Sequence, residues 1–229
     1  MRIGALAAFA ALLVTGAAQA GEWELQVGLG MNESAHSKMV VNGPSDSRTY
    51  YPGWKGLSFE APLYYQLSVI YWPDSLQDWG VGVEFNHAKA YADLTDPALS
   101  SDFSHLEFSD GLNLLTANVF RKWDFDKARV YVGAGAGIAI PHVEVKTTSA
   151  FTPLPNTTTW GYQVGGPAVQ FLAGVSYEVM PNWRVFGEGK ISYAINDVTL
   201  TGGGSLQTNI VSTHLRAGIS ISLDDGTGW

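Results

Sequence analysis

The stretch RVYVGAGAGIAI, residues 129–140, admits two readings. Its GAGAG centre resembles a nucleotide-binding loop, but it lacks the spacing such a loop needs, because its glycines recur at every second residue. The apolar residues share that period. Val130, Val132, Ala134, Ala136, Ile138 and Ile140 fall on one side, against Arg129, Tyr131 and three glycines on the other. A period of two belongs to an extended strand with unlike faces. A continuous apolar face backed by small and polar residues suits the wall of a narrow barrel, whose outside meets lipid.

The same alternation recurs along the chain. Trp23, Leu25, Val27, Leu29 and Met31 oppose Glu24, Gln26, Gly28 and Gly30. The run from Leu57 to Trp72 places Leu57, Phe59, Leu63, Tyr65, Leu67, Val69 and Tyr71 together, opposite Ser58, Glu60, Gln66 and Ser68. Further strands follow at 79–85, 112–123, 169–179, 184–193 and 211–223, which with the opening stretch makes eight. Short turns at 73–78, 124–128 and 180–182 alternate with long polar gaps near 33–55, 92–110, 146–160 and 194–208. Short turns on one side and long loops on the other are the plan of a transmembrane β-barrel. The expected fold is therefore all-β, an eight-stranded antiparallel transmembrane barrel with short periplasmic turns and long extracellular loops. Trp72, Trp79, Trp123 and Trp183 cluster near the turns, as an interfacial girdle would.

Composition agrees. Charged residues make up 15% of the chain and aromatics 12%, whereas a soluble domain is usually about 25% charged. The net charge of -8 and the lack of a basic run speak against nucleic acid as a partner. The chain has no cysteine, which removes disulfides, Cys-ligated metals and thiol catalysis. Residues 1–20 read as a secretory signal peptide, with Arg2, an apolar run from Ile3 to Ala18 and an AQA cleavage site before Gly21. The barrel is expected to occupy 21–229. Export, with no other stretch of 18 apolar residues, points to the bacterial outer membrane.

The polar face carries Glu24, Glu60, Glu84, Glu178 and Glu188 against Lys122, Arg129, Arg184, Lys190, His214 and Arg216. Eight strands enclose only side chains, so these charges are expected to pair across a filled interior, and a porin is disfavoured. TGGGS at 201–205 reads as a loop tip, NTT at 156–158 is assigned nothing, and His36 falls in a loop.

Two His-x-Glu pairs stand out, His105 with Glu107 and His142 with Glu144. Pairing Trp123 with Ala128 across the short turn and extending the register brings Glu107 opposite Glu144. Both histidines then share the face of the lipid-side residues, and His87, Lys89 and Tyr91 continue that face on the preceding strand. Two carboxylates and two imidazoles at one spot are costly unless they bind a cation or share protons. The candidate metal ligands are His105, His142, Glu107 and Glu144, and the candidate catalytic groups are Glu107, Glu144 and His87. Polar residues also belong naturally on hairpins that reach into water, so a solvated hairpin stands as the alternative.

FSHLEFSDGLNLLTANV, IPHVEV, YQVGGPAVQFLAGVSYEV, FGEGKISY and LTGGGSLQTNIV together resemble the rhizobial-type lipid A oxidases, over most of the chain from about SFEAP onward. That resemblance implies an outer-membrane enzyme that oxidises the proximal glucosamine of lipid A to 2-aminogluconate, using dioxygen and releasing peroxide. It also implies dependence on a divalent metal and a lipopolysaccharide partner in the outer leaflet. No flavin or nucleotide motif accompanies it, so a redox metal such as iron is the simplest agent for His and carboxylate donors. A carboxylate left free of metal would serve as general base on the sugar hydroxyl. The barrel is expected to act as a monomer. Two rivals stand beside the oxidase: a lipid A deacylase, hinted at by Ser104 next to His105, and a non-enzymatic structural or adhesion barrel. The chain's ending, DDGTGW, departs from the usual barrel terminus.

Overall fold

The computed structural model describes residues 21–224. The signal-peptide assignment and Trp229 lie outside the described residues. Eight long strands form the wall: β1 (Gly21–Ser34), β5 (Tyr65–Pro73), β6 (Trp79–Ala92), β7 (Phe103–Phe125), β8 (Ala128–Thr147), β10 (Gly166–Met180), β11 (Trp183–Leu200) and β12 (Gly204–Asp224). Each pairs antiparallel with the next, and β12 pairs back onto β1 from Glu22↔Asp224 to Ser34↔Ser212, which closes the barrel. Closure leaves no unpaired edge in the wall, as a membrane requires of strands.

The alternation sets the two faces. Val27, Val175 and Leu215 point outward and are 51%, 58% and 64% exposed. Trp79, Trp123 and Trp183 ring the short-turn end and are exposed. Trp72 does not belong to that girdle. It shares the inward parity of Ile70, is buried, and donates from Nε1 to Glu24 at 3.0 Å.

Charges fill the interior. Glu84 accepts from Arg216 Nη1 at 3.0 Å and Nη2 at 2.6 Å, and from Lys190 Nζ at 2.9 Å. Arg216 also meets Glu188, which accepts from Tyr131 at 3.1 Å. Arg129 pairs with Glu24 at 3.1 Å. His214 lies inside between Ser192 and Tyr64. Glu60 departs from this set. It is exposed, because residues 57–64 form bends rather than the start of a strand. Leu57 has a φ of 42°, and Pro62 offers no N–H to a ladder.

The segments read as long polar loops are partly ordered. The first contains β2 (Met39–Asn42), β3 (Ser47–Tyr50) and β4 (Trp54–Lys55), the second helix α1 (Pro97–Asp102), and the third β9 (Thr158–Tyr162). The fourth is a continuous hairpin of β11 and β12, turned tightly at Gly202 and Gly203 with φ of 88° and 86°. Beyond the apolar wall these pieces bury a second core, including Met39, Trp54, Leu99, Phe103, Phe108, Val145, Phe151 and Leu206. The barrel is thus capped by packed protein at the end opposite the short turns.

Candidate metal centre

Strands β7 and β8 meet in a tight turn at Asp126 and Lys127, with Phe125 opposite Ala128. The register there is offset by two residues from the one the sequence suggests. It is corrected further up. Leu112 faces Pro141, but Glu107 faces Glu144, so β7 carries two extra residues between them. The two offsets cancel, and Glu107 and Glu144 stand opposite each other as expected. Because the bulge adds an even number, it preserves parity. Ser109, Asp110 and Gly111 occupy the space facing His142, and Gly111 adopts φ 124°, which a side chain would resist.

The face of the cluster follows from its neighbours. Leu106, Phe108, Val143 and Val145 point into the upper core, so His105, Glu107, His142 and Glu144 lie on the outer face. Strand β9 extends that face, with Glu144 beside Trp160 and His142 beside Tyr162. On the other side Tyr91 pairs with Glu107. One rung across four strands therefore reads Tyr91, Glu107, Glu144, Trp160. Glu144 lies six residues beyond Ile138, which pairs with the exposed Leu115 on the wall. That is roughly 20 Å along a strand, which carries the cluster towards the end of the wall opposite the short turns.

Within the cluster, His105 Nε2 is 2.7 Å from Glu107 Oε1 and 3.4 Å from Glu144 Oε2. His142 Nδ1 is 2.7 Å from Glu144 Oε1 and 3.7 Å from Asp110 Oδ2. Ser109 Oγ donates to Glu144 Oε1 at 2.5 Å. His142 and Glu144 are buried, while His105, Glu107 and Asp110 are partly open. The two glutamates differ in proton affinity. Burial pushes the Glu107 carboxyl above its ordinary value; His105 pulls it back, and the nearby charge of Glu144 adds to the rise. Burial also opposes ionisation of Glu144, but bonds from Ser109, His142 and His105 outweigh it and hold its pKa below the ordinary value.

The donors fall into two groups whose ligand atoms lie within 4.8 Å of one another: His105, Glu107 and Glu144, and Asp110, His142 and Glu144. Imidazole nitrogens mixed with carboxylate oxygens suit a divalent first-row metal, so these residues fit the cation the sequence suggests. Asp110 and Ser109 escape the sequence reading. Asp110 has the inward parity of β7, and only the bulge turns it to this face. The signal available was the Asp-Gly pair at 110–111, a common mark of irregular backbone. Trp160, at the end of the gap read near 146–160, and Tyr162, between that gap and the strand at 169–179, are equally hidden from the sequence.

His87 does not join the cluster. It sits lower on β6, stacked on Tyr65 at 5.0 Å, with Nδ1 2.8 Å from Asn113 Oδ1. It lines a hollow of ≈ 440 Å³ with Pro62, Tyr65, Phe85, Asp110, Asn113 and Tyr162, so Asp110 links hollow and cluster. Its Nε2 is buried and meets no hydrogen-bond partner among the described residues. Ser104 Oγ donates to the Lys146 carbonyl at 3.3 Å, not to His105. A Ser–His bond does occur between Ser192 and His214, at 2.8 Å, but it is buried inside the barrel. His36 lies in the exposed segment between β1 and β2.

Among solved structures, the chain is similar to the outer membrane protein OprG of Pseudomonas aeruginosa. The TM-score is 0.57 at 10% identity, covering 90% of this chain and 97% of that one. It is also similar to Neisserial surface protein A, with a TM-score of 0.46 at 16% identity, covering 87% and 96%. No family model matches the sequence, and no curated protein matches it. At such identity the likeness to OprG shows the fold, that of a bacterial outer-membrane β-barrel.

Proposed function

We propose that this outer-membrane barrel is a lipid A oxidase, which converts the proximal glucosamine of lipid A to 2-aminogluconate at its outer wall. One observation carries the reading: two histidines and three carboxylates converge on the outer face of β7 and β8, towards the end opposite the short turns, which we take to be the level of the outer-leaflet head groups. A soluble substrate would not need a site there, whereas an outer-leaflet glycolipid presents its sugars at that level. The resemblance of FSHLEFSDGLN and IPHVEV to lipid A oxidases supports the same assignment. Residues 1–20 would serve as the export signal.

The reaction balances with dioxygen and water as the co-reactants. The anomeric carbon, carrying a free hydroxyl, loses two electrons and two protons and becomes a lactone. Dioxygen takes up both and leaves as hydrogen peroxide. Water then opens the lactone to the acid, so the lipid gains one oxygen. A divalent redox metal held by His105, His142, Glu107 and Glu144 would supply the path for those electrons. Glu107, partly open and with its pKa raised, would take the anomeric hydroxyl proton through the oxygen it does not give to the metal. Glu144, held ionised by three donors, is suited to ligation instead. Trp160 is 64% exposed beside the cluster and offers an apolar face to the sugar ring. His87, in the hollow below, would contact the substrate rather than the metal.

The test is to express the protein in an outer membrane whose lipid A has a free anomeric hydroxyl, and to weigh the lipid from cells grown with and without air. A gain of one oxygen only in air supports the oxidase. Loss of an acyl chain would select a deacylase, and unchanged lipid around a folded, metal-loaded barrel would reject both.

A further inference from the structure

We infer that the outer-wall cluster is built for two divalent cations, with Glu144 bridging them and Asp110 completing the second position. The inference rests on the metal-binding reading above and extends it. It starts from the way Glu144 divides its oxygens. Oε2 faces His105 Nε2 at 3.4 Å, and that nitrogen is 2.7 Å from Glu107 Oε1. Oε1 faces His142 Nδ1 at 2.7 Å, and that nitrogen is 3.7 Å from Asp110 Oδ2. Each position therefore has one imidazole nitrogen, one carboxylate oxygen of its own and one oxygen of Glu144.

The dimensions suit this use. Metal–ligand bonds of about 2.1 Å place neighbouring donors roughly 3.0–3.4 Å apart; the separations found run from 2.7 to 3.7 Å and bracket that range, so shifts of a few tenths of an ångström would seat an ion at each position. A carboxylate that gives one oxygen to each of two metals spans the roughly 3.5–4 Å typical of paired sites. Charge favours two cations over one. Three carboxylates with neutral imidazoles carry three negative charges. One divalent ion leaves the group net negative, whereas two leave it with a single positive charge, suited to an anionic oxygen of a substrate head group.

The backbone supports the second position specifically. In an uninterrupted strand Asp110 would point into the core beside Phe108 and Leu112. The two-residue bulge turns it outward, and Tyr162 Oη fixes it there by donating to the Asp110 carbonyl at 2.9 Å. Ser109, from the same bulge, holds Glu144 Oε1 on the side of His142.

The experiment is a Mn(II) titration of the full barrel folded in detergent, after chelator treatment, read by metal content and by electron paramagnetic resonance. Two Mn(II) per chain are expected, with the signal broadened by coupling between them. Asp110→Asn and Glu107→Gln should each leave one Mn(II) with the sharp hyperfine pattern of an isolated ion. Glu144→Gln should lower the affinity of both positions at least tenfold. Retained gel mobility of the unheated barrel reports folding of each variant. One Mn(II) in the native chain, unaffected by Asp110→Asn, overturns the two-cation inference and leaves the single-metal reading standing. Two uncoupled ions overturn the bridge. No bound Mn(II) overturns both the inference and the metal reading beneath it.

Discussion

Ser109 Oγ donates to Glu144 Oε1 at 2.5 Å, and it can do so only because β7 bulges at this level. The bond is one of three that keep Glu144 ionised and aimed. Ser109→Ala should therefore leave the barrel folded and weaken cation binding by roughly tenfold, as loss of such supporting bonds commonly does. Competition with a chelator of known affinity measures it. A change under twofold would mean that the hydroxyl does not orient the carboxylate.

Gly111 tests the bulge itself. It adopts φ 124°, and a Cβ there would come within 2.3 Å of Asn113 Oδ1. Gly111→Val should introduce about 1–3 kcal/mol of local strain, displace Asp110 and Ser109, and reduce cation binding. The lower wall does not depend on this position, so heat-dependent gel mobility should persist.

The interior charges should behave oppositely to those on the surface. Glu84 is buried between Arg216 and Lys190. Glu84→Gln leaves Lys190 with amide partners alone and Arg216 with only Glu188, and should cost about 3–5 kcal/mol, read from unfolding by guanidinium in micelles. Asp78, which pairs with Arg121 at the short-turn end at 2.9 Å, should contribute under about 1 kcal/mol.

The barrel should not conduct. The ion-paired interior and the upper core close both the lumen and its outer mouth. Reconstitution in a planar bilayer is expected to show no stepwise currents. Regular conductance steps from pure protein would contradict the packing described.

Above the membrane, Tyr50 Oη donates to Asp102 Oδ2 at 2.5 Å, and Arg48 Nη1 reaches the same oxygen at 2.6 Å. Burial first, and then Asp102, push the Tyr50 phenol well above its ordinary value of 10.0. Its folded pKa exceeds its unfolded one, so the stability it contributes is complete below pH 10 and lost as pH rises through the folded value. Alkaline titration by ultraviolet absorbance should show a tyrosine component that ionises only with unfolding, and Tyr50→Phe should shrink that component by one residue.

The sequence reads well where a local period exists. Val130 to Ile140 reveal their faces because each step of the backbone flips a side chain, and the eight wall strands follow from that. The meeting of Glu107 with Glu144 was legible for a less direct reason, since a turn misplaced by two residues was offset by a bulge of two. What stayed hidden depends on contacts between distant segments. Met39, Phe103, Phe151 and Leu206 form one core although nothing local unites them. Asp110 was out of reach because its orientation comes from an irregularity rather than a repeat. Trp72 lies close to a turn, but its even parity on β5 places it inside.

Strands β7 and β8 carry Leu106, Phe108, Val143 and Val145 on one face and His105, Glu107, His142 and Glu144 on the other. A slip of one residue by either strand against the other would exchange that strand's faces, pushing two ionisable groups into a dry interior and two hydrocarbon side chains outward. The mismatched hairpin would fail on both faces at once. The cluster therefore proofreads its own alignment: donors gather on the outer wall only in a chain whose upper core has already closed behind them.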